Sequence, residues 1–163
     1  MASLSDEVVR HLLNGRYVAS LAAHNSDGST HVVAVWYWFD GHDVFVATSS
    51  RSRKARNLKA NPNVSLMIDA RDPAASFGTN ITGTAQLLEG DASRQSNARV
   101  HGKYLSDVAL TDPRVGPVFA SWDDTTIQIT PVSVIAWDMR VADRQVFGGA
   151  FARNPAYMLP LER

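Results

Sequence analysis

The sequence has no cysteine among its 163 residues. Disulfides, thiolate-bound metals and cysteine nucleophiles are therefore excluded. It also lacks an excess of either charge: 16 basic and 16 acidic side chains give a formal net charge of zero. Surfaces that bind nucleic acid normally carry a basic surplus, because phosphate contacts supply much of the affinity, so nucleic acid is not expected as a partner. No apolar run approaches the ~18 residues that a membrane-spanning helix needs. Met1 to Glu7 are polar and acidic, unlike a secretion signal. The expectation is a cytoplasmic protein with no membrane partner, folded as one domain over residues 1–163. The 45% hydrophobic content is enough to fill a core at this length.

The hydrophobic period changes along the chain. Val8, Val9, Leu12 and Leu13 recur at helical spacing, with Ser3 or Ser5 as cap and Gly15 as stop. From Tyr17 the pattern is that of strands. Residues 17–22, 31–39 and 43–48 are separated by turns at Asn25-Ser26-Asp27-Gly28 and Asp40-Gly41, which implies an antiparallel meander. A short helix over 52–60 ends at Asn61-Pro62. Strands follow at 63–69 and 81–88, around a loop at Arg71-Asp72-Pro73. Residues 91–104 read as a helix, and 113–121 as a short one with Pro113 in its first turn. A sixth strand covers 125–138, and Pro131 puts part of it on an edge. Residues 139–163, with Gly148-Gly149, Pro155 and Pro160, read as an extended arm. The expected fold is mainly β: six antiparallel strands with small helices, closed or nearly closed into a barrel.

One segment carries chemistry. Arg51, Arg53, Lys54, Arg56 and Lys59 place five cations within nine residues, among Ser49, Ser50 and Ser52 and just after Thr48. Hydroxyls and N–H groups at a helix start can hold a phosphate, Arg adds a bidentate fork and Lys a point charge. Basic runs on short helices are usually solvated faces. This one follows a strand end in an otherwise neutral chain, which makes it a local focus of positive potential. Elsewhere the signals are bland. His11, His24, His31, His42 and His101 show no metal-ligand spacing. Asp123-Asp124 reads as a turn, since sequence neighbours rarely face one site. The contiguous Trp36, Tyr37, Trp38 and Phe39 alternate faces on a strand, which leaves an outward pair for a dimer interface.

The run from Phe45 to Thr48, followed by Ser52-Arg53-Lys54-Ala55-Arg56-Asn57-Leu58 and Asn61-Pro62-Asn63-Val64-Ser65-Leu66, resembles the pyridoxamine 5'-phosphate oxidase-like split-barrel superfamily. Gly83-Thr84-Ala85 is similar to a later strand of that family. The resemblance implies an antiparallel Greek-key split barrel of the FMN-binding type. It also implies a homodimer with cofactor sites at the subunit interface. Arg53 and Lys54 then become phosphate ligands, and Thr48, Ser49 and Ser52 hydroxyl or backbone donors. Val33, Ala34, Val35 and Trp36 would lie along the cofactor ring. Phe77, Gly78, Thr79 and Asn80 would reach it from the other subunit, Gly78 only through backbone. The chain end, Phe151 to Pro160, does not match the Trp- and Arg-containing substrate motif of true pyridoxamine phosphate oxidases, which argues against that substrate. The Lys54-to-Leu58 form of the helix also resembles a branch that uses 8-hydroxy-5-deazaflavin (coenzyme F-420) instead of FMN. The implied activity is hydride transfer between FMN or a deazaflavin and a small organic substrate. The alternative is a non-catalytic flavin or deazaflavin carrier or sensor.

Overall fold

The computed structural model describes residues 2–72 and 75–160. Seven strands form one antiparallel sheet: β1 (Ala19–His24), β2 (Thr30–Val35), β3 (Trp38–Phe39), β4 (Val44–Thr48), β5 (Asn63–Ala70), β6 (Phe77–Leu88) and β7 (Thr125–Asp138). Their order is β2-β1-β5-β6-β7-β4-β3. β2 and β3 are the two edges of this sheet, yet only Trp36 and Tyr37 separate them in the chain. Three Cα–Cα steps join Val35 to Trp38 and span at most ~11 Å, so the sheet must curl until the end of β2 comes near the start of β3. The result is mainly β, a half-barrel with small helices, as expected of a split barrel.

The core follows from the period of two. Leu21, Val46, Leu66, Ile68, Ile81, Ile127 and Ile129 point inward and are fully buried. Helix α1 (Glu7–Asn14) packs against β3, β5, β6 and β7. It contributes Val9, Leu12 and Leu13, all fully buried, each worth roughly 1.5–3 kcal/mol in transfer free energy. The two expected turns are present. Gly28 has φ +83°, and Asp27 accepts the Ser29 N–H and hydroxyl at 2.9 and 2.6 Å. Asp40 accepts the amides of His42 and Asp43, both at 2.8 Å.

Five expectations are corrected. The strand read over 31–39 breaks at Trp36-Tyr37, giving seven strands instead of six, because barrel closure pulls the chain from one edge to the other there. The strand read from Ile81 begins at Phe77, so the expected loop is shorter, and Pro73 falls outside the described residues. The α1 cap is Asp6, which accepts the Val8 N–H at 3.1 Å, and the hydroxyls of Ser3 and Ser5 bond each other. The helix read over 113–121 is α5 (Gly116–Trp122), which begins three residues later with Pro117 in the early helical position expected of Pro113, and a further helix not read from the sequence, α4 (Asp107–Thr111), precedes it. Residues 139–157 are mostly helical instead of extended: α6 (Met139–Val146), α7 (Ala150–Arg153) and a 3-10 turn at Pro155–Tyr157. The Asp143 carboxylate, accepting the Phe151 and Ala152 amides at 3.1 Å each, draws α7 back onto α6. Residues 161–163 of the expected arm lie outside the described residues. The helix expected over 52–60 is α2 (Arg53–Ala60), capped by Ser52, and that over 91–104 is α3 (Gly90–Tyr104). Pro131 lies past the last β4–β7 pair, Val44 with Ile129, on the exposed edge of β7.

Gly78 pairs with Trp137 across β6 and β7, and a Cβ at Gly78 would overlap the benzo ring of Trp137. Gly78→Ala is expected to cost about 1–3 kcal/mol of unfolding free energy through overpacking. Denaturant melts of Gly78→Ala, Trp137→Ala and the double variant check this; the double variant should lose less than the sum of the singles.

Lys103, near the end of α3, donates to the Leu13 carbonyl at 2.9 Å and lies 3.8 Å from the Tyr37 ring centre. Burial pushes its ammonium down to about 8. Below that pH both folded and unfolded chains hold the proton. Above it the unfolded chain binds more protons, so this group makes stability rise with pH from about 8 toward 10. Lys103→Met should flatten that rise in melts across the same range.

Candidate functional site

Helix α2 begins where β4 ends, so the last residue of the strand and the first turn of the helix share one corner. Thr48 is buried, and its hydroxyl lies 3.0 Å from that of Ser52. The Ser52 hydroxyl accepts the Ala55 N–H at 3.2 Å, its carbonyl accepts the Arg56 N–H, and its own N–H donates to the Ser49 carbonyl at 2.9 Å. The Arg53 and Lys54 amides take no acceptor from among the described residues. They are the orphan donors that a helix start offers to an anion.

Buried Ala55 and Leu58 fix which way α2 faces. Arg53 and Arg56, three residues apart, share a face. They line a polar cleft of about 700 Å³ with Asn25, Ser26, Asp27 and Ser29 of the β1–β2 turn. An Asn57 amide bond to Asn25, 2.8 Å, ties helix and turn together. Lys54 lines a second cleft, of about 350 Å³, with Val18, Ala34, Val35, Trp36, Ala47, Phe119 and Asp123. Burial lowers the Lys54 pKa, and the Asp123 carboxylate opposes that shift.

The second cleft has an aromatic wall. Trp36 stacks on Tyr104 at 5.0 Å and 5°, and on Phe119 of α5 at 5.7 Å and 20°. Asp123 is held by the buried His101, whose Nε2 lies 2.8 Å from Oδ2. Beneath it is a buried polar layer between α3 and β7. The Thr126 hydroxyl donates to Asn97 Oδ1 at 2.7 Å and lies 3.1 Å from the Ser93 hydroxyl. Asn97 Nδ2 in turn donates to the Asp123 carbonyl at 2.7 Å.

Ala34, Val35, Trp36 and Lys54 thus meet in one cleft, with Thr48 and Ser52 at the adjoining corner. Val33 packs against the core. Ser49 sits in the turn before α2, its hydroxyl accepting the Arg51 N–H at 3.3 Å. Phe77, Gly78, Thr79 and Asn80 are in β6 and line neither cleft. Phe77 is buried beneath the Arg140 guanidinium, and the Thr79 hydroxyl donates to the Ile135 carbonyl at 2.9 Å. Sequence reasoning missed His101, Tyr104, Phe119 and the Asp123-Asp124 pair. One signal was there: Ser93, Asn97 and His101 repeat every four residues, a polar stripe on the face α3 turns inward. Among the described residues no cluster of metal-ligating side chains is found, and no helix is long and apolar enough to cross a membrane.

Among curated proteins none matches the sequence. Among solved structures, an F420 reductase superposes with a TM-score of 0.61 at 21% identity, covering 77% of this chain and 94% of its own. A conserved hypothetical protein of Mycobacterium tuberculosis gives a TM-score of 0.69 at 20% identity, covering 99% and 94%. A heme binding protein of Mycobacterium smegmatis gives 0.62 at 22% identity, covering 84% and 55%. At these identities the likeness is one of fold. The family profile described as Pyridoxamine 5'-phosphate oxidase matches residues 5–138, and the chain belongs to that family.

Proposed function

We propose that this protein binds FMN or 8-hydroxy-5-deazaflavin and transfers hydride between it and a small organic substrate. The observation that carries this reading is the corner at Thr48–Lys54. Two unpaired helix-start amides, the mutually bonded Thr48–Ser52 hydroxyl pair with one O–H left to donate, and the side chains of Arg53 and Lys54 adjoin a cleft walled by Ala34, Val35 and Trp36. These donors suit a phosphate, and the neighbouring wall suits a flat ring. Such a cofactor, once bound, supplies the hydride chemistry. The chain's part is to hold the anionic end, stack on the ring and keep water from it.

A homodimer accompanies this reading. The outer face of the sheet exposes Val18, Val32, Val132 and Ile135, each more than half accessible, and this apolar surface suits a second copy. Asn80 lies half-buried on that face beside Ile135, and on this reading it is the member of Phe77–Asn80 that would reach a partner's cleft.

Absorption spectra of the purified protein, alone and with FMN or the deazaflavin added, test the cofactor. Steady-state oxidation of the reduced cofactor over a panel of acceptors separates an oxidoreductase from a carrier: tight binding with no turnover would favour the carrier. Arg53→Ala and Lys54→Ala should each weaken cofactor binding by roughly 1.5–3 kcal/mol, the worth of a charged hydrogen bond. Unchanged titration curves in both variants would overturn the phosphate assignment.

A further inference from the structure

Asp123 and Asp124 are adjacent, yet they serve different elements. Asp123 is bonded to His101 and lines the cleft with Lys54. Asp124 holds the turn that leads into α2. Its Oδ1 accepts the Ser50 backbone N–H at 2.6 Å, and its Oδ2 accepts the Ser50 hydroxyl at 2.8 Å. These bonds, the backbone one foremost, hold its carboxyl below the usual range. The clamp has a firm base. The next residue, Thr125, is buried and pairs with Thr48 at the end of β4. The Asn97 amide fixes the Asp123 carbonyl just before it.

Ser50 is the second residue of a four-residue turn closed by the Ser52 N–H on the Ser49 carbonyl. Fixing both of its donors fixes the direction in which that turn delivers Ser52 and the first amides of α2. We propose that Asp124 is a positioning residue for the anion-binding corner, acting through Ser50 and touching no ligand itself. The inference rests on the reading of that corner as a phosphate site.

Electrostatics and positioning predict opposite signs here. A carboxylate near an anion site repels the anion, so its removal on charge grounds alone tightens binding. Loss of the clamp loosens it. The experiment compares Asp124→Ala with wild type and with Asp123→Asn, which removes the same charge but makes no bond to Ser50. FMN, riboflavin and inorganic phosphate are titrated into each protein, and amide hydrogen exchange is followed at residues 50–52 without ligand. Asp124→Ala is expected to lose about tenfold in FMN affinity, with riboflavin affinity unchanged and exchange at Ser50 accelerated. Asp123→Asn should retain slow exchange at Ser50. FMN and phosphate affinity in Asp124→Ala equal to or above wild type, with exchange at Ser50 unaltered, would overturn the proposal. Wild-type protein that binds neither FMN nor phosphate counts against the cofactor reading instead. Exchange at Ser50 then decides the clamp alone: protection lost in Asp124→Ala supports it, and protection kept overturns it.

Discussion

The fold turns on the closure at Trp36-Tyr37. The chain has two residues in which to pass from one edge of the sheet to the other, so their side chains are committed by geometry. Tyr37 goes inward and is fully buried, its hydroxyl donating to the Leu12 carbonyl at 2.5 Å. That bond fastens the seam to the last turn of α1, and burial raises the phenol pKa so that it stays a donor. The Tyr37 N–H reaches the Tyr104 hydroxyl at 3.4 Å, and that hydroxyl donates to the Tyr17 carbonyl at 2.6 Å. The seam is thereby tied to the end of α3 as well. Trp36, turned the other way by the strand alternation, is left stacked on Tyr104 and facing the cleft. The residue that walls the candidate site is placed by the same step that closes the barrel.

β7 is the second fixed element. Four of its first five residues, Thr126 to Ile129, pair with both β4 and β6, and beneath Thr126 lies the polar layer of Ser93 and Asn97. Buried polar groups are costly when unpaired, by about 1–3 kcal/mol each. Among the described residues no buried side-chain nitrogen or oxygen lacks a partner. A satisfied layer of this kind sets register more sharply than an apolar contact, because a slip of one residue orphans several groups at once. It holds the α5–β7 junction, and through Asp123 and Asp124 that junction reaches both the cleft lined by Trp36 and the turn before α2.

Much of this was legible in the sequence, for local reasons. Asp27-Gly28 and Asp40-Gly41 specify their turns through side-chain bonds and positive φ at glycine. Ser52 before a basic helical run marked the α2 start, and Pro131 marked an edge. What was not legible depends on long-range pairing. A strand signal through Trp36 gives no hint of a break, since the break is imposed by the meeting of two edges. Gly78 read as a missing ligand, but its constraint is a ring from residue 137 in the next strand. The helical turns after 138 stayed hidden because Gly148-Gly149 and the prolines suggest extended chain. They are tied together by one carboxylate, Asp143, reaching amides eight and nine residues on.

The two adjacent cations of α2 raise a geometric question that the helix itself answers. Successive residues are turned by ~100° about the axis, so Arg53 and Lys54 leave the helix in different directions, and they line different clefts. They cannot both meet an anion lying against one side of α2. They can meet one lying on the axis, beyond the first turn, because both side chains belong to that turn and are long enough to bend forward. The unpaired amides of the same two residues point there, and so does the positive end of the helix dipole. The corner built by Thr48 and Ser52 is at that end. An anion held there would lie between the polar cleft of Arg53 and Arg56 and the aromatic cleft of Trp36. A ligand with a flat ring on one side of a phosphate could then occupy the aromatic cleft without giving up either cation.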